Sequence, residues 1–303
     1  MDVLARLMDG VRARGAVFGQ AVLDPPWSLR FAVDAPLALV AMLRHRAWLV
    51  PGDDHAPVSL GTGDVAVVRG EFTVADDPST PPRHVVTTSG YCAEGVRPLA
   101  ARTCGDRPDA TALLLGGAYG GGVSARLLRA LPQVLVVGGD DRQRPLLDLA
   151  TGEVTSDVPG QQVVLDRLLD LLLGATLRSW FDRPGARAPA WYRPTGDPVV
   201  DRALRLMHDD PAHPWTVAGL ASRTGTSRAA FTRRFTAHVG EPPMRYLTGW
   251  RIALAADLLR ESDATVAAVA RQVGYANAFS LSVAFKRING IPPTQGRPHP
   301  TSS

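Results

Sequence analysis

The chain has 303 residues, 45% hydrophobic and 20% charged, long enough for two domains that each bury a core. Its net charge of +4 is uneven: from Val199 onward 13 Arg or Lys stand against 7 Asp or Glu, while residues 1–198 carry 20 against 22. That basic C-terminal excess is the footprint of a module that neutralises phosphates. No apolar run approaches the ~18 residues of a membrane span. Met1 to Gly15 carries Asp2 and Asp9 and lacks the unbroken apolar stretch of a secretory signal, and two cysteines make no disulfide framework, so a reduced cytoplasmic protein is expected.

Residues 18 to about 140 read as short strands: Trp27 to Phe31, Leu37 to Leu43, Ala47 to Val50 and Val65 to Val68. Asp24-Pro25-Pro26, Pro51-Gly52-Asp53-Asp54 and Gly61-Thr62-Gly63-Asp64 punctuate them, which predicts an antiparallel barrel or sandwich. A Pro-rich loop follows Asp77. His45, His55 and His84 are scattered without a His-x-His pair, so no metal site and no cofactor are expected. The run Gly116 to Gly122 precedes Val123 to Leu131 without a following Lys-Ser/Thr, so it reads as a strand corner rather than a phosphate loop.

From Gln161 to Phe181 the apolar residues Val164, Leu165, Leu168, Leu169, Leu172, Leu173, Leu177 and Trp180 recur at helical spacing. The face is wider than one barrel surface needs, so either the barrel or a second copy covers the surplus. Residues 183–198, with Pro184, Pro189, Pro194 and Pro198, read as a linker. Beyond it everything reads as helix. A first helix, about Val199 to Met207, stops at Asp209-Asp210-Pro211. Thr216 caps a short helix carrying Val217, Leu220 and Ala221; Gly225 takes the turn; Ser227 caps a helix that buries Ala230, Phe231 and Phe235 and exposes Arg228, Thr232, Arg233 and Arg234. A helix, a glycine turn and a capped helix with a basic outer face make a helix-turn-helix.

The unit recurs. Thr265 caps Val266, Val269 and Ala270; Gly274, 49 residues after Gly225, takes the turn; Asn277 caps a helix burying Leu281 and Phe285. Between the units, Pro243 to about Arg260 forms a helix about 27 Å long, with Tyr246, Leu247, Trp250, Leu254, Leu258 and Leu259 inward. It can hold two recognition helices roughly one DNA turn, ~34 Å, apart.

These residues resemble the DNA-binding domain of AraC/XylS-type regulators, from Trp215-Thr216-Val217 through Gly225 to Phe235, and from Val269-Ala270 through Gly274-Tyr275 and Ala284-Phe285-Lys286-Arg287 to Ile291-Pro292-Pro293. Pro26-Trp27-Ser28-Leu29-Arg30, Gly63-Asp64-Val65, Leu131-Pro132 and Leu177-Arg178-Ser179-Trp180 resemble the cupin-type sensor domain of one branch of that family. The resemblance implies a cupin-like β-barrel (1–182), a linker (183–198) and an all-α domain (199–303) with helix-turn-helix units at about 216–238 and 265–288. It implies a transcription regulator and no enzyme. Its partners would be double-stranded DNA in adjacent major grooves, RNA polymerase, a small-molecule effector, and a second copy through the 161–181 helix.

By the same resemblance, Ser227, Arg228, Ala229, Thr232 and Arg233 contact DNA in the first unit, and Arg234 and Arg251 meet phosphates. The second unit departs from the pattern. After Asn277 its reading positions are Ala278, Phe279, Ser280 and Val283, apolar or weakly polar groups that can touch thymine methyls but discriminate less, so Lys286 and Arg287 would mainly add affinity. The alternative signal is redox. Some relatives carry a cysteine before the Gly-Ala-aromatic motif, where Gly116 stands here; Cys92 and Cys104 remain, with Arg97, Arg102 and Arg107 nearby to activate a thiolate.

Overall fold

A computed structural model describes residues 4, 18–33, 35–52, 55–87, 92, 96–119, 123, 125–139, 142–186, 188–189, 191–192 and 194–293. Met1 to Gly15 apart from Leu4, and Asp53, Asp54 and Gly120 to Gly122, all singled out above, lie outside the described residues. The chain divides into two compact units. One comprises Val11–Val123 and Leu131–Ala186; the other comprises Arg187–Ser303 with Met1–Gly10 and Ser124–Ala130, a segment that includes the short helix α1 (Ala125–Ala130).

The first unit is built of two sheets. Its strands are β1 (Phe18–Leu23), β2 (Ser28–Phe31), β3 (Leu37–Arg44), β4 (Ala47–Pro51), β5 (Val58–Leu60), β6 (Val65–Val68), β7 (Phe72–Ala75), β8 (His84–Val86), β9 (Pro98–Ala100), β10 (Thr103–Gly105), β11 (Ala112–Tyr119) and β12 (Val134–Val137). One sheet runs β12-β6-β3-β11-β1-β10-β9, the other β5-β4-β7-β2-β8. Among the described residues no ladder joins the two, so they face each other across the core without closing into a barrel. Pairing is antiparallel except for β1 with β10 and β2 with β8, which are parallel. Gly105 permits the first of these pairings: a Cβ there would lie 1.8 Å from the Val22 carbonyl oxygen, and its φ is +150°.

Two strands read as unbroken apolar runs because both of their faces are covered. In β3, Ala38, Val40 and Met42 face the space between the sheets, while Leu37, Leu39 and Ala41 face away and are equally buried. In β6, all four residues are buried. Helices α2 (Arg144–Thr155) and α3 (Gln161–Asp182) pack on each other and against β1, β6 and β12, supplying the outer cover. Helix α3 buries Leu165, Leu168, Leu169, Leu172, Leu173, Leu177 and Phe181, each contributing about 1.5–3 kcal/mol. The buried hydroxyl of Tyr119 donates to the Leu169 carbonyl at 2.6 Å and fixes the helix against β11. Val164, expected inward, is exposed together with Val163 and Leu171.

The two cysteines, expected as thiols, are joined: Cys92 and Cys104 form a disulfide, and there is no free cysteine among the described residues. The pairing brings β10 to the segment before β9, a juxtaposition set by sheet topology that a twelve-residue sequence separation does not reveal.

The second unit contains α4 (Pro198–Asp209), α5 (Val217–Arg223), α6 (Arg228–Val239), α7 (Pro243–Glu261), α8 (Val266–Gln272) and α9 (Ala278–Asn289). It has two apolar cores. Val200, Met207, Leu220, Phe231, Phe235 and Tyr246 fill the first; Ile252, Leu259, Val269, Val273, Leu281 and Phe285 fill the second. Helix α7 contributes to both, so it holds the two helix-turn-helix units at a fixed separation. No helix among the described residues is long and apolar enough to cross a membrane.

Candidate nucleic-acid interface

Each recognition helix is placed by local chemistry. In the first unit, Thr216 Oγ1 accepts from the Gly219 amide at 3.0 Å and Ser227 Oγ from the Ala230 amide at 3.3 Å. In the second, Thr265 Oγ1 accepts from the Ala268 amide at 3.2 Å and Asn277 Oδ1 from the Ser280 amide at 2.8 Å. Each cap satisfies an amide that the first helical turn would otherwise leave unpaired. The turns are left-handed at Gly225 (φ +71°) and Gly274 (φ +81°), the conformation that glycine adopts without steric cost. After each turn the next amide reaches back to the preceding helix, Thr226 to the Ala221 carbonyl and Tyr275 to that of Ala270.

The caps set the register of the reading faces. Helices α6 and α9 both have twelve residues and both begin directly after their caps, Ser227 and Asn277. Aligned on the caps, Arg228, Ala229, Thr232 and Arg233 correspond to Ala278, Phe279, Ser282 and Val283, and the buried pair Phe231 and Phe235 to Leu281 and Phe285. Ser282, absent from the sequence reading, therefore stands at a reading position. Ser280 lies in the first turn, where its hydroxyl donates to Asn277 Oδ1 at 3.0 Å. The signal that could have found Ser282 is the cap spacing: one residue separates Gly225 from Ser227, but two separate Gly274 from Asn277.

The outer face of α6 is cationic. Arg228 and Arg233 are exposed, and among the described residues neither guanidinium enters an ion pair; Ala229 is exposed beside them. Thr232 is half-buried and its hydroxyl donates to the Arg228 carbonyl at 3.0 Å. On α9, Phe279 is 77% exposed and Val283 54%, with Ala278 and Ser282 half-buried between them and Lys286 and Arg287 exposed in the last turn.

Two arginines expected at phosphates are occupied inside the domain. Arg234 Nε donates to Asp197 Oδ2 at 2.6 Å. Asp197 is the cap of α4, accepting from the amides of Val199 and Val200, so this ion pair ties α4 to α6. Burial opposes ionisation of Asp197, but the guanidinium and the two amides outweigh it and hold the carboxyl below its usual range. Arg251, on α7, donates from Nε to the Pro211 carbonyl and from its terminal nitrogen to that of His213, both at 2.7 Å. Burial lowers its pKa, with Tyr275 and Asp210 working against that shift. A guanidinium with two donors committed to main-chain carbonyls is a clamp between α7 and the loop before α5. The formal charge of Arg251 was legible in the sequence; these partners were not.

Elsewhere, the described residues contain no group of three or more His, Cys, Asp or Glu arranged to hold a metal ion. In the first unit the inner faces of the sheets leave a hollow of about 50 Å³ among small and apolar side chains. Gly19, Ala21, Ala38, Gly116 and Ala118 form one side, Leu29, Phe31 and Val33 the other, and Cys104 stands at its wall.

Comparison with known proteins agrees with this architecture. The chain matches the cupin family over residues 2–182 and a helix-turn-helix domain family over residues 220–298. It is 33% identical to a protein of Streptomyces lividans named as an AraC-like transcription regulator, covering 99% of each chain. A protein of the same description from Streptomyces antibioticus is 32% identical, again over 99% of both chains. The DNA-binding domain of AdpA, solved in complex with a target DNA, is 30% identical over 33% of this chain and 89% of that one, with a TM-score of 0.32. These relatives are transcription regulators rather than enzymes. The chain belongs to the AraC-like DNA-binding transcription regulators, with a cupin domain preceding its helix-turn-helix domain.

Proposed function

We propose that this regulator occupies two adjacent major grooves of double-stranded DNA, and that α6 makes most of its hydrogen-bonded base contacts. The observation carrying this reading is the pair of uncommitted, exposed guanidinium groups of Arg228 and Arg233 on the outer face of a capped recognition helix. A guanidinium grips guanine O6 and N7 with two parallel hydrogen bonds, worth about 1–3 kcal/mol of discrimination against another base. Ser227 and Asn277 place the helix N-termini toward the backbone, while Lys286 and Arg287 hold phosphates and add affinity. Residues 199–303 then form the reader, 183–198 the linker and 1–182 the sensor. Selection of bound duplexes from a randomised pool tests this. With wild-type protein a defined sequence should be enriched, and with Arg233→Ala one base position should relax. Equal shifts for Arg233→Ala and Val283→Ala would refute the division of labour.

For the sensor, the hollow in the first unit supports a small, uncharged effector held between the two sheets, in the manner of a barrel interior. Its walls are mostly apolar, with the Gln20 side chain among them. The Cys92–Cys104 disulfide supports a second reading, a thiol–disulfide signal, since Cys104 lines the same hollow. A dithiol reductant that leaves the DNA affinity of the full chain unchanged would dismiss it. Exposed Val163, Val164 and Leu171 on α3 fit the contact surface of a homodimer, and RNA polymerase is the partner that a promoter-bound regulator would address.

A further inference from the structure

We propose that α9 is a thymine reader: Phe279 and Val283 recognise the 5-methyl groups of thymines in the second major groove. The inference rests on the two-groove reading above. The two residues lie four apart, on one face of the helix, and among the described residues are the most exposed large apolar groups of the DNA-binding unit. By the cap register they occupy the positions that hold Ala229 and Arg233 in α6. With Ala278 in place of Arg228 and Ser282 in place of Thr232, the reading face of α9 carries no formal charge until Lys286.

Such a face fits one feature of the groove. Adenine, guanine and cytosine present hydrogen-bonding edges there, and thymine alone adds a methyl group. An apolar side chain gains little against the first three, but it removes both itself and the methyl from water against the fourth. Lys286 and Arg287, in the last turn of the same helix, carry the charge needed to hold the helix against phosphates. That arrangement favours DNA over a protein as the occupant of this face. The helix is also rigid at its start, where the Asn277 side chain accepts from both the amide and the hydroxyl of Ser280. Phe279 is thus presented on a fixed first turn.

The test changes the DNA rather than the protein. A site enriched by the full chain is remade with deoxyuridine replacing single thymines, which removes the methyl and preserves every hydrogen bond. Affinities are measured by fluorescence anisotropy at one fixed salt concentration. At one or two thymines in the groove contacted by α9, loss of the methyl should weaken wild-type binding about fourfold each, the value of one buried methyl-sized group. Val283→Ala and Phe279→Ser, both at exposed positions, should bind the thymine and uracil versions of the matching position equally. If the second groove tolerates every replacement with less than a twofold change, the proposal is overturned. It is also overturned if the two variants bind the site as tightly as wild type but fail to support transcription with purified RNA polymerase, because the face then serves a protein. Failure of the pool to enrich any sequence is a different result, since it removes the two-groove reading itself.

Discussion

The two helix-turn-helix units share one backbone solution and differ in what they show to solvent. Both have a threonine-capped first helix, a left-handed glycine, a polar cap and a twelve-residue second helix with two buried apolar anchors. Yet the reading face of α6 exposes Arg228 and Arg233, and that of α9 exposes Phe279 and Val283. Buried positions and caps are held in common because they make the fold. The exposed positions are released from that constraint, so they are where the units diverge in chemistry.

The turns themselves supply the largest expected contrast. A Cβ at Gly225 would meet nothing within 4 Å, whereas one at Gly274 would lie 2.8 Å from the Ala212 Cα and carbonyl oxygen and 2.9 Å from the Arg251 guanidinium. Gly225→Ala should cost only the left-handed conformation, about 1–2 kcal/mol. Gly274→Ala adds overpacking of a further ~1–3 kcal/mol, because two of the atoms in its way are backbone. Urea titration followed by tryptophan fluorescence should separate the two midpoints clearly. Coincident midpoints would mean that the loop carrying Ala212 yields.

On the reading faces, Arg233→Ala should weaken binding to the selected site by about 1–3 kcal/mol and broaden one base position. Val283→Ala should cost less than half of that. Salt titration sharpens the comparison. Truncating Lys286 or Arg287 should lower the slope of log K against log salt by about one per charge and leave base preference unchanged.

In the first unit an ion pair, Arg234 with Asp197, ties the recognition helix to the preceding helix. Asp197→Ala should remove the α4 cap and cost about 1 kcal/mol, with a further loss of DNA affinity because α6 loses its strut. The pH dependence has a definite sign. The carboxyl is held below its usual value of 3.8, so its contribution is complete above that value and disappears as pH falls through the lower native value. The stability difference between wild type and Asp197→Ala should be flat from neutrality to about pH 5 and narrow below pH 3.8.

What could be read from the chain follows the reach of each interaction. Caps and turn glycines act over three or four residues, and all four caps and both turns stand where their residue types place them. The apolar repeat located α3 to within a residue, and its last inward anchor proved to be Phe181. Relations across the chain were not legible. The parallel pairing of β10 with β1, the Cys92–Cys104 bond and the commitment of Arg251 to two carbonyls forty residues away depend on sheet order and loop path. Exposed charge could be counted from sequence, but which charges remain available to DNA required the partners.

The smallest effect tests the register itself. The sequence alone puts Ser280 among the readers; the cap register puts Ser282 there, opposite Thr232. Ser280 has a local partner, Asn277 Oδ1, so Ser280→Ala should leave DNA affinity almost unchanged. Ser282 is aligned with Thr232 on the groove-facing side, and Ser282→Ala should cost about 0.5–1.5 kcal/mol in binding, the net value of one neutral hydrogen bond. Neither change should shift thermal stability by more than about 0.5 kcal/mol, as is usual for surface substitutions. If Ser280→Ala weakens binding and Ser282→Ala does not, α9 enters its groove rotated from α6, and the two units are not equivalent as readers even in their backbone.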